Sequence, residues 1–184
     1  MKCTSCHEGM LQPADLEPLL PCYTCTHCGG NWLYLEDYLR WLSRTSDADG
    51  PAPSVVDPEA VDTPRAMLCP RSGTLMLRYR ISPDSPNKLD LSPAVNGVWL
   101  DRGEWELLKH EGLGRQLNAI FTDPWQRRIR ETRARETFAA LYEQEFGAED
   151  YARLREFREW VRGCEKSAAM LAYLLAEDPY SAER

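Results

Sequence analysis

Nowhere in the 184 residues does an apolar run approach the roughly 18 residues that a membrane-crossing helix needs. The first residues, MKCTSC, lack the apolar stretch that opens a secretory leader, so the expected setting is the reducing cytoplasm, with no membrane partner. Histidine is scarce, at three, and no Ser/His/Asp or paired-carboxylate constellation stands out; the expectation is a protein that is not an enzyme. Basic residues are scarce at one end. Residues 1–66 hold 4 basic and 10 acidic side chains, residues 67–113 hold 6 of each, and residues 114–184 hold 12 against 13. Clustered Lys and Arg are what grip phosphate backbones, so the acidic first third is poorly suited to nucleic acid.

Against these shortages, cysteine is plentiful and unevenly placed. Five of the seven lie within the first 28 residues, and in a reducing setting such clusters read as metal ligands rather than disulfides. Cys3 and Cys6 form one Cys-x-x-Cys turn, Cys25 and Cys28 another. Each turn offers two sulfurs to one side of a tetrahedral site, and a hairpin that brings the turns together completes it. Four protein ligands leave no open position for water or substrate, so the expected cofactor is one structural Zn2+. A unit of about 40 residues buries too little apolar surface to fold alone, whereas zinc binding supplies on the order of 10–16 kcal/mol. Cys22 competes with Cys25 as a ligand, since Cys22, Cys25 and Cys28 are evenly spaced; the Gly29-Gly30-x-Trp32 context favours the later pair, with both glycines turning backbone N–H groups toward the thiolates. Iron is the competing metal. Cys3-Thr-Ser-Cys6-His7 also fits a c-type haem attachment pattern, against which the second cysteine pair argues. His7 and His27 are expected to lie outside the ligand set.

The chain is organised as a repeat with a helical tail. Pro13, Pro18 and Pro21 limit the early segment to short or irregular strands, with Leu19 to Thr24 the better candidate. Leu35, Tyr38, Leu39, Trp41 and Leu42 recur at three-to-four spacing, which predicts an amphipathic helix of about ten residues. Residues 46–66 have the Pro, Asp and Ser content of a linker. Beyond it, Ser92-Pro-Ala-Val95-Asn-Gly-Val-Trp99-Leu100 aligns without a gap on Cys25-Thr-His-Cys28-Gly-Gly-Asn-Trp32-Leu33, and Cys69-Pro-Arg-Ser72 falls opposite Cys3-Thr-Ser-Cys6. Leu75, Leu77, Tyr79 and Ile81 alternate as a half-buried strand would, and Leu89 and Leu91 begin a returning one. Asp101 and Glu104 fit a capping-box-like helix start. After Asp123-Pro124 an antiparallel helical hairpin is expected to residue 177, its seam running through Leu154, Phe157, Val161, Cys164, Ala168, Leu171 and Leu175. The expected fold class is α+β: a zinc ribbon at 1–45, a linker at 46–66, a second ribbon-like repeat at 67–112 and helices at 113–184.

The Cys3-x-x-Cys6 and Cys25-x-x-Cys28-Gly-Gly-x-Trp32-Leu33 pattern, followed by a helix, resembles the transcription-factor-IIB-type zinc-finger family, and so does Val95-Asn-Gly-Val-Trp99-Leu-Asp-Arg-Gly-Glu104. The resemblance covers about residues 1–42 and 67–110 and implies a four-cysteine zinc ribbon; despite the family's name, it does not imply transcription. The second copy keeps only Cys69 of the four ligand positions, the others being Ser72, Ser92 and Val95, so it is expected to hold no metal and to gain its stability from packing. The expected function is a non-enzymatic protein-interaction or regulatory adaptor, with a protein partner and with Trp32, Trp99 and Trp105 as candidate contact residues. The alternative is nucleic-acid binding or transcription-associated work through the arginine-rich helix Arg127–Arg135, where Arg127, Arg128 and Arg130 begin the basic face.

Overall fold

The computed structural model describes residues 1–45 and 59–180. The chain divides into two compact units, Met1–Thr132 and Arg133–Arg184, so the parts expected as separate at 1–45 and 67–112 share one unit. Most of the expected linker, residues 46–58, lies outside the described residues.

The first unit is built on one six-stranded antiparallel sheet, made by β1 (Leu11–Glu17), β2 (Leu20–Cys25), β3 (Asn31–Tyr34), β4 (Leu77–Arg80), β5 (Lys88–Ser92) and β6 (Gly97–Leu100). Its strand order is β1-β2-β3-β6-β5-β4, so the strands of residues 11–34 and those of residues 77–100 meet at β3 and β6 in the middle. The longest strand, β1, runs through Pro13 and is irregular as expected, its register against β2 shifting between Asp15 and Glu17. It lies at the sheet edge, where a missing N–H interrupts no further ladder.

The central pairing is Asn31↔Leu100, Trp32↔Trp99, Leu33↔Val98 and Tyr34↔Gly97. Moving each residue to its counterpart in the other half, at the offset that takes Cys25 to Ser92, returns Trp32↔Trp99 to itself and turns Asn31↔Leu100 into Leu33↔Val98. The register is therefore symmetric about the two tryptophans. Their rings reach diagonally across the strands. A Cβ placed on Gly30 would stand 2.3 Å from Trp99 Cζ2, and one on Gly97 would stand 2.0 Å from Trp32 Cζ2. Each indole lies where the other half has a glycine, two residues before its own tryptophan. Positive φ recurs at matching places too, at His7 and Gly73 in the first turns and at Gly29 and Asn96 in the second.

Period-2 alternation sorts side chains onto two faces. On one face Leu33, Val98 and Leu100 pack with Tyr38 and Trp41 of α1 (Leu35–Arg44), Trp105 and Leu108 of α2 (Glu104–His110), and Leu117 and Ile120 of α3 (Leu117–Ile120). On the other face Trp32 and Trp99 pack with Cys3, Cys25, Met67, Cys69 and Met76. The ten-residue α1 matches its sequence expectation; its N-cap, Tyr34, makes no side-chain cap bond. At the edge strand β4 the expected pattern holds in part. Tyr79 and Ile81 pack in the core as expected, whereas Leu75 and Leu77 are exposed and Met76 is buried. Residues 113–124 and the start of α4 (Asp123–Phe146) also belong to the first unit, with Trp125 donating its indole N–H to the Ile81 carbonyl at 3.0 Å.

The second unit holds the rest of α4, then α5 (Ala148–Gly163) and α6 (Ser167–Leu175). The expected two-helix hairpin is thus three helices, the second ending at Gly163 where Cys164 turns extended. Its expected seam is not packed shut, since Leu154, Phe157, Leu171 and Leu175 are exposed and only Val161 is buried. Gly97→Ala should destabilise the first unit by about 1–3 kcal/mol through overpacking. Because the clash is with one ring, Trp32→Val added to Gly97→Ala should cost less than the two single losses combined, as read by chemical denaturation; strict additivity would contradict the interlock.

Candidate metal centre

The β1–β2 hairpin carries the two cysteine turns to one place. Cys3 and Cys6 lie ahead of β1, Cys25 ends β2, and Cys28 sits in the turn before β3. The four Sγ atoms all lie within 4.8 Å of one another, with Cys3 and Cys28 at 3.8 Å and Cys6 and Cys25 at 3.7 Å. A tetrahedron with Zn–S bonds of about 2.3 Å has edges of about 3.8 Å, so the sulfurs already stand at zinc spacing. The donor set fits the metal: four sulfurs and no open position. Backbone N–H groups turn toward them, from Gly9 to Cys6 Sγ at 3.4 Å and from His27 to Cys25 Sγ at 3.5 Å. Gly9 is required by closeness, because a Cβ there would stand 2.3 Å from Cys25 Sγ.

The thiols are poised unequally. Burial pushes Cys3 up to about 11 and raises Cys28 above its ordinary value. At Cys6 burial also acts upward, but N–H donation from Gly9 and Glu8 outweighs it and lowers the thiol to about 6. Without an ion, two buried thiols resist ionisation while a third favours it. A divalent cation resolves that conflict by making all four thiolates ligands.

The competing ligands fall away. Cys22 faces the opposite side of the sheet, in the cluster with Leu20 and Leu33, and is bound to Thr24 Oγ1 at 3.6 Å. His27 pairs with Glu8 at 2.8 Å in a largely exposed contact, and His7 is exposed in a left-handed turn. Gly29 has the positive φ expected of a turn glycine and sends its N–H to the Cys25 carbonyl, whereas the Gly30 N–H is the one turned to the Cys28 thiol, and Gly30 also makes room for Trp99. The three tryptophans proposed as contact residues, Trp32, Trp99 and Trp105, are at most 1% exposed, so they hold the interior together and present no surface. Arg127, Arg128 and Arg130 are exposed on α4.

A related turn surrounds Cys69. Its N–H donates to the Thr74 carbonyl, five residues on, at 2.8 Å, where the Cys3 N–H reaches the Gly9 carbonyl, six residues on, at 2.9 Å; Cys69 Sγ accepts N–H bonds from Arg71 and Ser72 at 3.4 Å. A second group close enough to hold a cation, Asp62, Asp101 and Glu104, is already filled by donors. Asp101 accepts the Trp99 indole N–H at 2.7 Å and both the N–H and hydroxyl of Thr63; Asp62 accepts Arg78 at 2.7 Å. Glu104 accepts the Asp101 N–H at 2.8 Å, which is half of the expected capping box; the other half is missing because the Asp101 carboxylate is turned to Trp99 and Thr63. No signal in the sequence marks Asp62 as a member of this group.

Among known proteins, the family model described as a transcription factor zinc-finger, a transcription-factor-IIB-type zinc ribbon, matches residues 2–44. No curated protein and no solved structure matches the chain. Cys3, Cys6, Cys25 and Cys28 are thus a zinc ribbon's four cysteines, positioned to bind one zinc ion.

Cys25→Ser should abolish stoichiometric zinc binding and unfold the β1–β2 hairpin, whereas Cys22→Ser should keep one zinc per chain; metal analysis after gel filtration distinguishes them. A second expectation concerns acidity. Burial raises Asp90 from the ordinary 3.8 to about 6, against the pull of Arg78 and Lys88 and with Asp62 and Asp101 adding to the rise. A raised carboxyl stabilises the fold while protonated, so that contribution fades as pH climbs through about 6. Between pH 5.5 and 7.5, with zinc in excess, the wild type should lose about 1 kcal/mol more stability than Asp90→Asn. Parallel profiles would contradict the assignment.

Proposed function

We propose that the chain is a non-enzymatic adaptor, in which a structural zinc and a metal-free copy of the same ribbon form a rigid base for recognising another protein. The copy is taken to be residues 67–112. The symmetric Trp32↔Trp99 register, the matched glycines and the matched positive-φ positions support that reading. With Ser72, Ser92 and Val95 at three ligand positions, one thiolate is left where zinc needs four, and packing substitutes for the ion.

The observation that carries the adaptor reading is the unequal use of apolar residues in the second unit. Phe138, Leu141, Leu154, Trp160 and Leu174 are all about half exposed, and α6 has no buried residue at all. Large aromatic residues left in water on neighbouring helices mark a contact surface. The closed sulfur site supports a structural role for the metal. His7 and His110 are exposed and His27 is tied to Glu8, which is consistent with a protein that performs no acid–base chemistry through histidine. A reducing cytoplasmic setting suits seven cysteines that are all free. No helix among the described residues is long and apolar enough to cross a membrane.

Nucleic acid is the second reading, favoured by one observation: the arginines from Arg127 to Arg135 on α4 are all exposed. The net charge of −7 weighs against it. Two measurements decide. Cross-linking in the native cell should recover a protein partner at near-stoichiometric yield, and failure to recover any would contradict the adaptor reading. Binding to DNA or RNA oligonucleotides should be absent at low salt; binding that weakens steeply as salt rises would instead establish the phosphate-contacting role.

A further inference from the structure

Between α4 and α5 the second unit opens a groove of about 1140 Å³. That exceeds the roughly 300–1,000 Å³ of a small-molecule pocket and suits an element of secondary structure. Its floor is apolar, with Phe138, Tyr142 and Phe146 from α4, Leu154 and Phe157 from α5, and Leu171 from α6. Tyr142 and Tyr151, on either side of the Gly147 turn, stack at 6.4 Å within this lining. The rim is basic. Arg135, Arg155, Arg158 and Arg162 line it against a single acid, Glu159. Among the described residues none of these arginines has a carboxylate within ion-pair distance, although Glu149 and Asp150 on the same helix are paired with Arg153.

We propose that this groove docks an acidic amphipathic helix of a partner protein. The proposal rests on the adaptor reading and names the partner's chemistry. The partner's apolar stripe, at i, i+3, i+4 and i+7, would seat on Phe138, Tyr142, Leu154 and Phe157, and carboxylates flanking the stripe would pair with the four rim arginines. Charge selects this occupant over the others. Two copies placed groove to groove would bring eight arginines together against two glutamates. A lipid surface is met by a convex apolar face, not by a concave groove lined by four arginines. Nucleic acid would satisfy the rim and leave the aromatic floor uncovered.

The test uses the full-length, zinc-loaded protein and three fluorescent synthetic helices of about 18 residues, roughly five turns. One carries a leucine stripe with glutamate flanks, one the same stripe with lysine flanks, and one glutamate flanks with serine replacing leucine. The first should bind at least about tenfold more tightly than either control, because it alone meets both floor and rim. Arg155→Glu combined with Arg158→Glu, at two exposed positions on α5, should reverse the preference toward the lysine helix while far-ultraviolet circular dichroism stays unchanged. Weak or equal binding of all three helices, or an unreversed preference in the folded variant, overturns the proposal. So does a dimer of the protein alone that the same pair of substitutions dissociates, or binding of phosphatidylserine vesicles or single-stranded DNA at this groove with no binding of the acidic helix. If native-cell cross-linking still recovers a partner with the double variant, the groove is refuted while the adaptor reading stands; if neither protein recovers one, the adaptor reading falls itself.

Discussion

Two tryptophans facing each other at the centre of one sheet are what the first unit depends on. Trp32 and Trp99 are fully buried, each occupying space that only a glycine on the opposite strand leaves open. Since each ring covers the other half's glycine, neither half can complete this face alone. The register that brings the rings together also fixes every neighbouring pair, because a slip of either strand by one residue would move its indole to the helix-covered face. The Trp99 indole N–H then reaches Asp101, Asp101 holds Thr63, and the Thr63 hydroxyl lies 3.1 Å from Ser5 in the first cysteine turn. The metal turn and the second half are thus linked by hydrogen bonds as well as by packing.

The two ends of the sheet are held by different means. At Cys3, Cys6, Cys25 and Cys28, four sulfurs at zinc spacing define the turns. At Cys69 the lone Sγ accepts two N–H bonds, and Met67 and Met76 pack in the same cluster as Trp32 and Trp99. On the opposite face Trp41 and Trp105, one from each half's helix, meet edge-on at 6.0 Å, and the Tyr38 hydroxyl joins α1 to the segment after α2 by donating to the Gly114 carbonyl and accepting the Leu117 N–H. Packing on this face thus joins the elements on both sides of the sheet's centre into one core.

The metal site was the most legible part of the sequence, because cysteine spacing maps directly onto coordination geometry. The helix α1 was legible for a related reason, its clear period. What the spacing could not say was that β3 and β6 would pair with each other, so the tryptophans read as available surface when they are interior. Leu75 and Leu77 alternate correctly but on an edge strand, where neither face need be covered. The buried acids around Asp90 and Glu104 come from separate segments that only the fold brings together; burial holds Glu104 well above the usual carboxylate range. The helical tail has a true apolar period, yet periodicity describes a face and not its occupant.

Zinc-edge X-ray absorption on the purified full-length protein tests the central claim most directly. One zinc per chain with four sulfur neighbours at about 2.3 Å and no nitrogen or oxygen scatterer is the expected result. A second equivalent of bound zinc, or imidazole scattering in the first shell, would contradict a single closed sulfur site beside a half of the sheet held by packing alone.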